Sequence, residues 1–245
     1  MSLVQSRNII LPTSATGVFS KKEAASLIAS GCSHIHSSQL GQRDPLAVMT
    51  YQSIDCHQTA CYPWEKSQGL QQVSLDSSNS RYTLINQISN SLQIKPTTQL
   101  CDRVTTCLEE LFTNSLFHAY HLADGSEKYN RNESVVLNAN EKILIEFARS
   151  SEGIFISVRD FGEGLPFPKI QNYFRRCYEQ RDQSQIETKN SGAGLGLYVV
   201  FESASHLKIV STLKQGTLVS CWFSKTSAFD PNYFSFNFFQ GEIKK

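Results

Sequence analysis

Apolar residues are spaced unevenly along this chain, and the spacing changes character near Gly69. Before that point two elements are legible. Asn8 to Leu11 is a short apolar run closed by Pro12. Ser20 to Glu23 fits a capping box that opens a helix through Ala24, Ala25, Leu27 and Ile28 to Gly31. Ser37 to Lys66 is polar, with scattered Pro and Gly. Beyond Gly69, Gln72 to Leu75 predicts a strand. Ser80 to Ile94 predicts an amphipathic helix with Leu84, Ile85, Ile88 and Leu92 on one face, broken by Pro96. Thr97 to Tyr120 predicts a longer helix that turns Leu100, Val104, Cys107, Leu108, Leu111 and Ser115 inward. Ala123 to Asn140 is rich in polar and turn residues and predicts a loop. Lys142 to Phe147 and Ile154 to Asp160 predict adjacent strands joined at Ser150 to Gly153. Residues 165–191 predict a long polar connector with few apolar anchors. Gly194 to Ala204 predicts a helix opened by glycines. His206 to Leu213 and Thr217 to Phe223 predict a last strand pair, turned at Gln215-Gly216.

This order segregates helices from strands and predicts an α/β (α+β) two-layer sandwich, with a mixed sheet covered by helices on one face. Three segments are expected: an N-terminal appendage of unknown role over 1–68, the main domain over 69–225, and an aromatic-rich tail over 226–245. In the tail, Tyr233, Phe234, Phe236, Phe238 and Phe239 suit packing on the parent domain or docking to a partner.

Composition narrows the picture by exclusion. The 245 residues are 40% hydrophobic and 18% charged, enough for a core. Net charge is +1 and the basic clusters are short (Lys21-Lys22, Arg175-Arg176, Lys244-Lys245), so no nucleic-acid or anionic-membrane surface is expected. No signal peptide is expected, since Met1 to Asn8 lacks a charged start followed by an apolar stretch, and no apolar run approaches the roughly 20 residues that span a bilayer. A soluble cytoplasmic protein is expected. Seven cysteines form no CxxC pair; Cys107 and Cys221 sit in apolar segments and read as small core residues. Cys32, His34, His36, Cys56, His57 and Cys61 fit no standard zinc spacing.

Three segments carry chemistry. In ELFTNSLFHAY, Glu110, Asn114 and His118 recur every four residues, about 40° apart per step on one helix face. A line of carboxylate, amide and imidazole can hold a hydrated cation and a phosphate chain, although a solvated face has the same pattern. In VRDFGEGL, a strand delivers Asp160 into a turn containing Gly162 and Gly164. A carboxylate there can accept from the exocyclic amine of a base, and the glycines allow unusual dihedrals. In SGAGLGL, Gly192, Gly194, Leu195 and Gly196 run into a helix, whose free N–H groups and dipole favour an anion. No GK[ST] follows, which excludes a P-loop.

Taken together, in this order and spacing, the three segments resemble the N, G1 and G2 boxes of the histidine-kinase-type (Bergerat, GHKL) ATPases over roughly residues 69–225. ELFTNSLFHAY is more similar to the corresponding box of anti-sigma-factor serine/threonine kinases than to that of sensor histidine kinases, with Ser115 in place of the usual Ala. The resemblance implies ATP and Mg²⁺ as cofactors. It implies that Asn114 coordinates Mg²⁺, that Glu110 acts as general base and that His118 lines the phosphate side. It implies that Asp160, Gly162, Gly164 and Thr217 hold adenine, and that Gly192, Gly194, Leu195 and Gly196 wrap the phosphates. The 165–191 connector would be a lid, with Arg175, Arg176, Arg181 and Lys189 available to a γ-phosphate. The implied activity is phosphorylation of a serine or threonine on a protein substrate or regulator, and a homodimer is compatible with it. Two alternatives stay open: a non-catalytic ATP-binding regulatory module, and the catalytic part of a histidine kinase.

Overall fold

The computed structural model describes residues 7–11, 19–37, 69–180, 195–226, 229–231 and 233–241. The elements run β1 (Arg7–Leu11), α1 (Lys21–Ala29), β2 (Cys32–Ser37), β3 (Gln71–Leu75), α2 (Arg81–Ser91), α3 (Gln99–Thr113), β4 (Ile143–Arg149), β5 (Gly153–Arg159), α4 (Phe167–Gln180), α5 (Leu195–Ser203), β6 (His206–Thr212), β7 (Gly216–Ser224) and β8 (Ser235–Gln240). The strands form one eight-stranded mixed sheet in the order β1-β2-β8-β6-β7-β5-β4-β3. Its central ladder, β6-β7-β5-β4-β3, is antiparallel throughout. Strand β8 runs parallel to β6, and β2 antiparallel to β8.

The register explains the two layers. Phe147, Ile156, Cys221, Leu207, Phe236 and Ile35 align across β4, β5, β7, β6, β8 and β2. All six belong to the main core, to which every helix contributes: Ile28 from α1, Ile88 from α2, Leu108 from α3, Phe174 from α4 and Phe201 from α5. Side chains alternate across a strand, so the neighbouring row faces the other way. There Ala148, Phe155 and Trp222 form a small second cluster with Leu70 and Tyr233. Helices thus cover one face of the sheet, as the segregated pattern predicts.

Local chemistry sets the helix starts. Ser20 and Glu23 form the capping box that begins α1, with Ser20 N–H donating to Glu23 Oε2 at 2.7 Å. Thr98 caps α3 by accepting from Cys101 N–H at 3.2 Å. Cys107 and Cys221 are buried, free thiols whose sulfurs lie 3.7 Å apart in the core.

Three stretches differ from the sequence reading. The 165–191 stretch is not a continuous connector, because Phe167–Gln180 is helical. Its apolar residues are few but correctly spaced: Phe167, Ile170 and Phe174 are all buried. The helix predicted over Thr97 to Tyr120 keeps α-helical winding only to Thr113 and finishes as a π-turn over Asn114–His118. The segments on either side of the main domain join its sheet. Phe234, Phe236 and Phe238 of the tail are buried in the core, as strand β8 completes the ladder between β6 and β2.

Lys21 ties α1 to this framework. Its ammonium donates to the carbonyls of Phe201, Glu202 and Ala204 at 2.5–2.7 Å, capping the C-terminal end of α5. Burial pulls its pKa down to about 7, against the raising field of Glu202. Three acceptors match the three N–H donors of an ammonium. Replacing it leaves three inward-facing carbonyls without donors, so Lys21→Met should cost about 3 kcal/mol in urea denaturation. A loss below about 1 kcal/mol would mean that the cap contributes little.

Candidate nucleotide pocket

The pocket forms where α3 ends against the central strands. Its walls are Leu111, Asn114, Ser115, His118 and Ala119 from the α3 end, Val158 and Asp160 from β5 and its exit, Gly164 and Leu165 from the following turn, Lys169 and Tyr173 from α4, Leu197 from α5, and Thr217 and Val219 from β7. It encloses about 700 Å³, open mouth included. Leu111, Val158, Leu165, Leu197 and Val219 give it apolar walls, and its polar groups fall at two ends.

At the strand end stands Asp160, a buried carboxylate. Gly162 N–H and Thr217 N–H both donate to its Oδ1, each at 3.1 Å. Oδ2 is then the oxygen left for a ligand. Burial raises the Asp160 pKa from 3.8 to about 6, and the two N–H donors and Arg159 oppose that rise. Thr217 is held by a reciprocal bond, since Asp160 N–H donates to the Thr217 carbonyl at 3.0 Å.

The glycines after Asp160 are required by packing. Ala119, at the end of the π-turn, accepts from Glu163 N–H at 2.8 Å. A Cβ on Gly162 would overlap the Ala119 carbonyl. Gly164 has φ +78°, and a Cβ there would overlap the Thr212 carbonyl. The turn is thus pinned between α3 and the β6-β7 hairpin. Gly164 lines the pocket, whereas Gly162 supports it from behind.

The helix end of the pocket holds Asn114 and His118, both half-buried, on the π-turn. Such turns widen a helix locally and recur at functional sites. Glu110 lies one turn earlier, also half-buried. Burial raises its pKa above the ordinary carboxylate value, against the lowering field of Arg131. The start of α5 abuts this line. A Cβ on Gly196 would overlap the Glu110 carboxylate and lie 3.4 Å from Asn114 Nδ2. The N-terminus of α5, where a helix dipole favours anions, therefore sits beside Asn114. Leu195 is exposed at that terminus. Gly192 and Gly194 lie outside the described residues, as do Arg181 and Lys189.

Three residues of this end do not belong to any motif. Lys169 lines the pocket from α4. Arg131 and Glu127, from the loop after α3, both contact the His118 ring. Their only sequence signal is charge within a long loop. Of the basic residues expected to reach the ligand, Arg175 instead donates to the Ala29 carbonyl at 3.2 Å, on α1, and Arg176 stacks over Tyr173. Tyr120 and Glu141 brace the loop: Tyr120 Oη donates to the Glu141 carbonyl, and the Glu141 carboxylate accepts from Lys128 and Tyr129. His34 and His36 are buried in β2, with His34 Nδ1 3.1 Å from Asn237 Oδ1. Cys56, His57 and Cys61 lie outside the described residues. Among the described residues no group of His, Cys, Asp or Glu is arranged to hold a metal on its own, and no helix is long and apolar enough to cross a membrane.

The residues present fit a purine nucleotide. A buried acceptor oxygen suits an exocyclic amine, the apolar walls suit a ring, and a helix N-terminus with Lys169 suits phosphates. The amide oxygen of Asn114 suits Mg²⁺, which prefers oxygen ligands and keeps several waters. Fold and pocket thus define a nucleotide-binding α/β sandwich. Residues 100–227, more than half of the chain, match the histidine kinase-, DNA gyrase B- and HSP90-like ATPase family, and the chain belongs to that family of ATP-binding domains. No curated protein matches the chain.

Proposed function

We propose that this protein is a Mg²⁺-ATP-dependent kinase that phosphorylates a serine or threonine on a partner protein, in the manner of anti-sigma-factor kinases. The observation that carries the reading is Glu110. Binding a nucleotide requires Asp160 and Asn114 but no carboxylate at position 110. Glu110 nevertheless stands one helical turn from Asn114, and burial raises its pKa above the ordinary carboxylate value.

In this reading Asp160 Oδ2 accepts from the adenine amine, and Thr217 holds Asp160 in register. Asn114 supplies one oxygen to Mg²⁺, and the start of α5 faces the phosphates. Bound Mg²⁺-ATP supplies an electrophilic γ-phosphoryl group. Glu110 accepts the proton of the incoming hydroxyl as its oxygen bonds to that group, and ADP leaves. For a histidine-kinase reading, His34 and His36 are buried in a strand rather than presented on an exposed helix, and His57 lies outside the described residues.

Glu110→Gln tests the assignment. The amide is nearly isosteric but cannot take the proton. ATP affinity should stay within about threefold of wild type, whereas turnover measured as ADP release should fall by about 100-fold or more. Unchanged turnover would remove Glu110 from the chemistry and favour a different base.

A further inference from the structure

Glu127, His118 and Arg131 form a chain of contacts at the mouth of the pocket. Glu127 Oε1 meets His118 Nδ1, and the Arg131 guanidinium meets His118 Nε2. A guanidinium only donates, so Nε2 must be the acceptor. The ring proton then lies on Nδ1, donated to the Glu127 carboxylate. Burial, Arg131 and Lys169 all lower the His118 pKa, against Glu127, which agrees with a neutral ring carrying that proton. The tautomer is therefore fixed from one side, and the arginine is held from the other.

Arg131 is exposed, and the His118 ring it contacts lines the pocket. Its charge reaches Glu110 as well as His118. Lys169, on α4, projects a second positive charge at the same ring. Two cations from different elements thus flank the end of the pocket where Asn114 and the α5 N-terminus lie. One bond to His118 leaves a guanidinium four N–H donors, in a planar fork suited to phosphate oxygens.

We propose that Arg131 is a nucleotide contact that recognises the terminal phosphate of ATP, and that His118 and Glu127 are positioning residues that hold its guanidinium over the pocket mouth. The assignment rests on the ATP-binding reading and adds the discrimination of triphosphate from diphosphate. It also gives the loop between α3 and β4 a role in the site.

The test is calorimetric titration with ADP and with a non-hydrolysable ATP analogue, both with Mg²⁺. Arg131→Ala should weaken the ATP analogue by about 10-fold and leave ADP within about twofold. Glu127→Ala, further from the ligand, should reduce the same preference by an intermediate factor. The double variant should match Arg131→Ala alone, because Glu127 acts through that guanidinium. Arg131→Lys should recover part of the preference. Equal weakening of both nucleotides, no change in either, or additive losses in the double variant would each overturn the proposal. If the wild type binds neither nucleotide, the ATP-binding reading fails along with it; if it binds both and Arg131→Ala leaves their ratio intact, only the Arg131 assignment fails.

Discussion

Asp160→Asn should weaken nucleotide binding severely while making the free protein more stable. The asparagine oxygen can keep both bonds that Oδ1 now accepts from Gly162 and Thr217. The amide nitrogen then stands where Oδ2 stood, and it donates. An adenine amine meeting a donor in a buried site loses its partner and leaves an unpaired polar group. A loss of at least about 100-fold in ATP affinity is expected. Stability moves the other way. The folded-state pKa of about 6 lies above the ordinary 3.8, so the native state binds the proton more tightly than the unfolded chain. The ionised carboxylate therefore costs stability in full above about pH 6, and that cost fades as the pH falls from about 6 towards 3.8. A neutral amide removes it, and the gain at pH 7 is at most about 3 kcal/mol for that shift. Urea denaturation at pH 7 and pH 5 checks both signs: the advantage of the variant should shrink at the lower pH. A variant that binds ATP normally would place adenine elsewhere.

Asn114→Ala should remove the response of binding to Mg²⁺. Asn114 is half-buried on the π-turn beside Gly196, and its amide oxygen suits a hard cation near the α5 terminus. Without it the ATP analogue should bind about 100-fold more weakly in Mg²⁺, with nearly the same affinity when Mg²⁺ is chelated. Adenosine carries no phosphate and should bind wild type and variant alike. Normal Mg²⁺-dependent binding by Asn114→Ala would move the metal to another ligand.

The sequence revealed the central sheet, its helices and the three motif segments because each has a strong local signal. Leu84, Ile85, Ile88 and Leu92 mark one helix face, and Asp160 with two glycines marks a strand end. Helix α4 has a helical stripe in Phe167, Ile170, Tyr173, Phe174 and Cys177, but a polar stretch from Glu179 to Asn190 follows it and pulls the reading of the whole segment towards a loop. Strand β8 carried a readable alternation in Phe234, Phe236 and Phe238, but nothing local says that it pairs with β6 on one side and β2 on the other. The π-turn at Asn114–His118 leaves no mark in residue spacing. The meeting of Arg131 and Glu127 at His118 is a tertiary event, and charged residues in a polar loop carry no hint of it. Gly162 illustrates a subtler limit: its need for glycine was legible, but the reason, contact with the Ala119 backbone, was not.

The most direct test of the central claim, a pocket built for Mg²⁺-ATP, is isothermal titration of the purified wild-type protein with a non-hydrolysable ATP analogue, with and without Mg²⁺. The expected result is one-to-one binding that tightens by at least about tenfold when Mg²⁺ is present. Absence of binding in both conditions would contradict it and point to a family member that keeps the fold for protein contacts alone.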